Sequence, residues 1–269
     1  MIAVIFGLFG LVIGSFLNVV ILRRGARTVG GRSGCLSCGA PLRWYDLIPV
    51  VSWIALRGRC RVCGSRISMQ YPLVEASTAV LFGLIGGAPG LSIPMQLVSL
   101  GIIALLVLIT TYDLRHTIIP DGWSYSFAIL AFITASTFAI GGGWMGILTL
   151  VIAGPLCALP LFALWLISRG KWMGLGDAKL ALGIGFLLGQ SAGLFAVFFA
   201  FVVGAVVSVC VLLPYSYLRA RLGITRFGAG GTGFTMKSEV PFGPFLVAST
   251  LFVWLMTIYG IPIPFLNIT

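Results

Sequence analysis

Long apolar segments follow one another along almost the whole chain, and short polar segments separate them. Within each apolar segment the hydrophobic residues are continuous rather than alternating, which predicts helices and not the strands of a membrane barrel. A helix needs about 20 apolar residues to cross a hydrocarbon core about 30 Å thick. The pattern predicts about eight membrane-spanning helices, over residues 1–22, 72–88, 94–112, 123–141, 146–168, 179–190, 192–213 and 242–260.

The composition agrees with this pattern. Of the 269 residues, 59% are hydrophobic and 9% are charged, whereas soluble domains carry about 25% charged residues. The chain is therefore predicted to be an all-α polytopic membrane protein. No basic residue precedes the first apolar segment, so we interpret this segment as a retained span and not as a secretory signal. The sixth segment is short and would require tilt or local thinning of the bilayer.

The basic residues define one side of the predicted membrane protein. All 17 Lys and Arg residues fall between alternate spans, in residues 23–66, 115, 169–179 and 219–237. The positive-inside rule makes this side cytoplasmic and leaves both termini outside. The basic residues are scattered at span ends without a nucleic-acid motif, so we expect contact with membrane lipid and no nucleic-acid partner.

Four of the six cysteines form two C-x2-C pairs separated by 21 residues, namely Cys35, Cys38, Cys60 and Cys63. This spacing is typical of four-thiolate zinc sites, in which the metal is structural because no coordination position stays open. Disulfides, unpaired thiols and an iron–sulfur cluster are the alternatives, and a cytoplasmic position argues against disulfides. Residues 23–71 contain too little apolar core to fold alone, so we expect a small cytosolic loop domain stabilised by zinc. Cys157 and Cys210 lie within spans and are interpreted as buried hydrophobic residues.

Two aspartates are expected at one depth, on the basic side. Asp113 lies at the end of the third predicted span, and Asp177 lies where the sixth begins. Two adjacent carboxylates share a proton, so that one can act as a base and the other as an acid. Gly174 and Gly176 would allow a close approach of substrate to Asp177. The alternatives are that Asp177 caps a helix, that Asp113 pairs with Arg115, or that His116 acts as a base.

Six segments, in order, resemble a known family, the type IV prepilin peptidases, which are membrane aspartyl proteases with a GxGD signature. These segments are "GSFLNVVILR" from Gly14, "WYDLIPVVSWIALRGRCRVCGSRIS" from Trp44, "YPLVE" from Tyr71, "YDLRHTIIPD" from Tyr112, "GLGDAKL" from Gly174 and "PFGPFL" from Pro241. The resemblance implies that Asp113 and Asp177 are the catalytic pair, and that Gly174, Gly176 and Lys179 belong to the supporting motif. It also implies a bacterial inner-membrane enzyme whose active site faces the cytoplasm.

The resemblance implies cleavage of the basic leader of prepilins or pseudopilins after a Gly, followed by N-methylation of the new amino terminus with S-adenosylmethionine. A peptidase that lacks methyl transfer is the nearest alternative, because no Pro precedes the first cysteine pair. A transporter or an assembly scaffold is the remote one. Glu75 is a candidate for receiving leader charge or for methyl transfer, and an ion pair with a loop Arg such as Arg66 is its alternative.

We expect three regions along the chain: residues 1–88 with the cysteine loop 23–71, a peptidase core over residues 94–213, and a loop with the last span over residues 214–269. The Gly-rich run Gly228 to Thr235 is interpreted as part of a flexible loop. It has neither the preceding strand nor the GK[ST] ending of a phosphate-binding loop. The particular pilin, the assembly system and the oligomeric state do not follow from the sequence.

Overall fold

The computed structural model describes residues 1–24, 30–212, 214 and 241–263. Its helices are α1 (Ile2–Arg23), α2 (Val51–Ala55), α3 (Gln70–Gly86), α4 (Ile93–His116), α5 (Asp121–Ala139), α6 (Gly143–Ser168), α7 (Leu175–Val207) and α8 (Gly243–Ile258). The described residues contain isolated β-bridges and no strand. The predicted all-α class is therefore confirmed for this part of the chain. The Gly-rich run and most of residues 214–241 lie outside the described residues.

Four helical segments are long and apolar enough to cross a membrane: Ile2–Arg23, Ile93–His116, Asp121–Ser168 and Leu175–Cys210. The difference from the eight predicted spans has a structural reason. The third segment contains both α5 and α6, and the fourth contains a non-helical residue, Gly189, with φ +79° and ψ −177°. Helices α3 and α8 have only 17 and 16 residues. The chain is a multi-pass membrane protein, and the part of it that the structure describes is all-helical.

The chain divides into two units, Met1–Thr111 and Tyr112–Thr269. In the first unit, α1 packs along α3. A Cβ atom on Gly10 would lie 2.7 Å from Ala79 Cα, and one on Gly14 would lie 2.7 Å from Glu75 Cα. The two backbones therefore touch, as small residues allow in membrane helix pairs.

In the second unit, α7 packs against α5, α6 and α8. Its glycines again permit close contact, because a Cβ atom on Gly183 would meet the Phe127 ring at 2.5 Å. Phe127, Leu180 and Ile184 are fully buried in this core. The core brings the first turn of α7, which contains Asp177, beside the start of α8 and the end of α4, which contains Asp113.

Candidate active site and cysteine cluster

Asp113 lies in the last turn of α4 and is 4% exposed. Its carbonyl oxygen accepts a hydrogen bond from the backbone N–H of Thr117 at 2.8 Å. Thr117 has φ +51°, which ends the helix, and the following residues Ile119 and Pro120 are buried. The chain therefore returns across the end of α4 directly beside Asp113.

Asp177 is the third residue of α7 and is 7% exposed. The helix is capped by Gly174, so the alternative that Asp177 itself is the N-cap residue is wrong. A backbone hydrogen bond from Gly174 reaches the Asp177 carboxylate. A carboxylate in the first turn of a helix is also close to the positive end of the helix dipole.

The structure brings the two predicted aspartates together. Asp113 and Asp177 are close enough for their charges to interact. Ile119, which follows α4, lies beside both α7 and α8: a Cβ atom on Gly176 would lie 2.9 Å from Ile119 Cβ, and one on Gly243 would lie 3.2 Å from Ile119 Cδ1. Two carboxylates in such a buried setting can share one proton and act as an acid and a base.

The two glycines before Asp177 have different surroundings. A side chain at Gly176 would collide with Ile119, whereas a Cβ atom at Gly174 would lie at an ordinary 3.6 Å from Asp177 Oδ2. Gly174 is exposed and Gly176 is half-buried. Packing therefore requires glycine at position 176, while Gly174 serves as the helix cap and hydrogen-bond donor.

Lys179 does not join the carboxylate pair. Its Nζ atom lies 2.7 Å from Asp121 Oδ1 and 5.6 Å from the centre of the Tyr125 ring. This ion pair connects the N-terminal part of α7 to the first turn of α5. His116 is exposed and its ring lies 4.4 Å from that of Tyr112.

Reasoning from the sequence missed Gly243, which is the first residue of α8 and is buried. Its backbone N–H donates a hydrogen bond to the Asp113 carboxylate. The Pro that follows marks a helix start in the sequence. That signal predicts the end of a helix but not the residue that this end contacts.

The four paired cysteines form one cluster, in which all the sulfur atoms lie within 4.8 Å of one another. Each C-x2-C pair forms a turn with the same backbone hydrogen bond. The N–H of Gly39 donates to the Cys35 carbonyl at 2.9 Å, and the N–H of Gly64 donates to the Cys60 carbonyl at 2.9 Å. These glycines have φ of +71° and +68°, which other residues rarely adopt. All six cysteines are free of disulfides, which removes that alternative.

The cluster fits a tetrahedral metal ion. Sulfur ligands at about 2.3 Å from zinc lie about 3.8 Å apart, and Cys35 Sγ lies 3.8 Å from Cys63 Sγ. The Ser65 hydroxyl oxygen lies 3.1 Å from Cys63 Sγ and 3.6 Å from Cys35 Sγ, where it can support both ligands.

The thiols of the cluster differ in acidity. Hydrogen bonds from the Cys38 backbone and the Ser65 side chain lower the pKa of Cys35 to about 5. A backbone hydrogen bond from Ala40 acts in the same direction on Cys38, but Cys63, desolvation and Cys35 outweigh it and raise the pKa of Cys38 to about 11. A bound cation would favour the thiolate form of all four residues. Of the other two cysteines, Cys157 is buried as predicted, whereas Cys210 is exposed and that prediction is wrong.

Glu75 lies in the first unit, in α3, and is 6% exposed. Its Oε2 atom accepts a hydrogen bond from the backbone N–H of Val50 at 2.7 Å, and a further hydrogen bond links it to Ser15. Asn18 in α1, which is 1% exposed, accepts a hydrogen bond at 3.2 Å from the side chain of Gln70, the first residue of α3. Glu75 thus holds the cysteine loop through a backbone contact.

Two protein-family models match this chain. Residues 8–87 match the bacterial peptidase A24 N-terminal domain, and residues 100–209 match the type IV leader peptidase family. No solved structure matches the chain.

Several curated proteins named prepilin leader peptidase/N-methyltransferase are similar over most of the chain. The protein from Neisseria gonorrhoeae is 34% identical, and the match covers 74% of this chain and 79% of that relative. The protein from Bacillus subtilis is 30% identical, with 95% and 94% covered. The protein from Myxococcus xanthus is 36% identical over 78% of this chain but only 63% of its own length.

The fold and the site define a multi-pass helical membrane protein with a buried carboxylate pair. The chain belongs to the type IV leader peptidase family.

Proposed function

We propose that this chain is a membrane aspartyl endopeptidase that cleaves the basic leader peptide of type IV prepilins or pseudopilins after a Gly. The observation that carries the proposal is the buried pair of Asp113 and Asp177, two carboxylates from different helices close enough for their charges to interact. The names of the relatives support the substrate class.

The pair would act on a water molecule and the peptide carbonyl. One carboxylate takes a proton from water, the resulting hydroxide adds to the carbonyl carbon, and the protonated partner donates to the carbonyl oxygen. The first carboxyl then gives its proton to the amide nitrogen, the second takes a proton from a hydroxyl of the tetrahedral intermediate, and the C–N bond breaks to give an acid and an amine. Because the two groups titrate together, the base and acid roles are properties of the pair.

Asn substitutions test this function directly. Asp113→Asn and Asp177→Asn each keep the size of the side chain and remove its charge, so each should abolish prepilin cleavage in membranes. The matched control is Asp46→Asn, whose carboxylate pairs with Arg61 at 2.9 Å in the other unit and should be dispensable for cleavage. Full processing by both site variants would refute the catalytic assignment.

The membrane arrangement is part of the proposal. We infer eight spans with the carboxylate pair at the cytoplasmic face of the inner membrane, which is supported by the one-sided distribution of the 17 basic residues. We likewise infer the division into residues 1–88, 94–213 and 214–269. The limits of the two family matches support the first two of these regions.

We infer that the cysteine cluster holds a structural zinc ion, bound by Cys35, Cys38, Cys60 and Cys63. The sulfur separations support this assignment. Zinc with four thiolates has no open position and would stabilise residues 23–71 without taking part in cleavage.

We also infer that the enzyme methylates the new amino terminus, as the names of the relatives suggest for them. The methyl donor would be S-adenosylmethionine, to which no described residue is assigned. Glu75 is the candidate acid for this step or for contact with the basic leader, because it is buried and its described partners are uncharged. The mass of the mature pilin amino terminus distinguishes this enzyme from a peptidase alone, since one methyl group would be present or absent.

A further inference from the structure

The first residue of α8 contacts one member of the carboxylate pair. We propose that Gly243 is the positioning residue for Asp113, through both its backbone N–H and the absence of a side chain. The proposal rests on the catalytic role of Asp113 given above. Gly243 belongs to the "PFGPFL" segment, to which the proposed function assigns no role.

The space around Gly243 excludes any side chain. A Cβ atom there would lie 2.5 Å from Asp113 Oδ2 and 3.2 Å from Asp113 Cγ. The backbone of Gly243 is not in the left-handed region, so its conformation alone would accept alanine. The carboxylate of Asp113 is therefore what requires glycine at this position.

The hydrogen bonds in the first turn of α8 also indicate a role for Gly243. The N–H groups at the start of a helix have no acceptor within the helix. In α8, the residue after Gly243 is a proline without an N–H, and the N–H groups of Phe245 and Leu246 donate to the Phe242 carbonyl at 3.0 and 3.2 Å. Gly243 thus supplies the first free N–H of the helix, and this N–H donates to Asp113.

Gly243 also connects two different helices, because it lies in α8 and its hydrogen-bond acceptor, Asp113, lies in α4. Asp177 receives its backbone hydrogen bond from Gly174, only three residues away. Asp113 receives its hydrogen bond from a residue on another helix, and Ile119 packs against both Gly176 and Gly243. The position of α8 therefore determines how the Asp113 carboxylate is oriented relative to Asp177.

The first test is Gly243→Ala in the full-length membrane enzyme, with a prepilin peptide as substrate. We expect kcat to fall about 100-fold with KM nearly unchanged, since a shift of about 1 Å in a reacting group has this effect. The pH dependence of kcat/KM should also change, because the environment of the pair changes. The control is Gly122→Ala, in the first turn of α5, where a Cβ atom would meet nothing within 4 Å.

A second variant separates the hydrogen bond from the packing. Replacing the amide nitrogen of Gly243 by an ester oxygen removes the N–H and adds no atom, so it keeps the fold even if Gly243→Ala does not insert into membranes. We expect kcat to fall roughly 10-fold, the cost of losing a hydrogen bond to a charged group. The pH profile should again differ from that of the natural enzyme.

The outcomes are distinct. If Asp113→Asn is inactive while the ester variant has the kcat and pH profile of the natural enzyme, the positioning role of Gly243 is wrong and the proposed function stands. If Asp113→Asn cleaves normally, the proposed function itself fails. Loss of kcat in the ester variant, with Gly122→Ala unaffected, supports the positioning role.

Discussion

At the scale of single residues, Val50 is held in an unusual conformation. Its φ is +60°, which is rare for a β-branched side chain, and such a residue costs roughly 1–3 kcal/mol. The Glu75 carboxylate accepts the Val50 N–H at 2.7 Å. A buried acceptor in α3 therefore holds the strained residue that immediately precedes α2.

This contact predicts different effects for two substitutions of Glu75. Glu75→Ala removes the acceptor, so the amides of α2 should exchange with deuterium about 10-fold faster, the effect of losing a hydrogen bond to a charged group. Glu75→Gln keeps an oxygen acceptor and should leave exchange close to that of the natural protein. Equal exchange rates in the two variants would contradict the hydrogen-bonding role. Prepilin methylation by Glu75→Gln then reports separately on the charge.

At the scale of elements, α1 and α3 depend on glycines for their close contact. Gly10, Gly14 and Gly86 face the partner backbone, where a Cβ atom would lie 2.7, 2.7 and 2.9 Å from an opposing Cα atom. Gly7 lies on the same side of α1, but a Cβ atom there would be at an ordinary 3.5 Å from Ala79 O. The first residue of the segment "GSFLNVVILR", Gly14, is thus one of the glycines that allow α1 and α3 to touch.

The two helix glycines form a matched pair for a stability experiment. Gly14→Ala should lower the free energy of unfolding by about 1–3 kcal/mol, the range for overpacking a tight contact. Gly7→Ala should be neutral or slightly stabilising, because alanine favours a helix. Detergent titration of the purified protein measures both. If Gly14→Ala were as stable as Gly7→Ala, the backbone contact would not be the reason for glycine at position 14.

At the scale of the whole chain, the hydrophobic pattern predicted the helices and the depth of the two aspartates, but it did not predict the detailed geometry. Continuous apolar segments predicted the helices, and the depth of Asp113 and Asp177 in those segments predicted that they could meet. The break at Gly189 and the contact of Gly243 were not predictable in this way. The break at Gly189 depends on backbone conformation, and the contact of Gly243 depends on which helix ends are neighbours. A pattern of apolar residues contains no information on either.

The two C-x2-C pairs of the cysteine cluster are separated by 21 residues in the sequence. The hydrogen bonds within residues 30–69 are mostly local, and the polar loop buries little apolar surface, since Trp44 and Val62 are 78% and 73% exposed. A metal ion would connect the two pairs directly and supply free energy that the core does not.

We therefore expect the purified protein to contain one zinc ion per chain. Cys38→Ser should lose most of this zinc and become more sensitive to proteolysis within residues 30–69, because two pairs with three thiolates no longer complete the tetrahedron. Cys210→Ala is the control, since Cys210 is exposed and lies outside the cluster. Metal content is measured by elemental analysis and cleavage by mass spectrometry of the fragments. Full zinc content in Cys38→Ser, or none in the natural protein, would show that the cluster is not a four-thiolate zinc site.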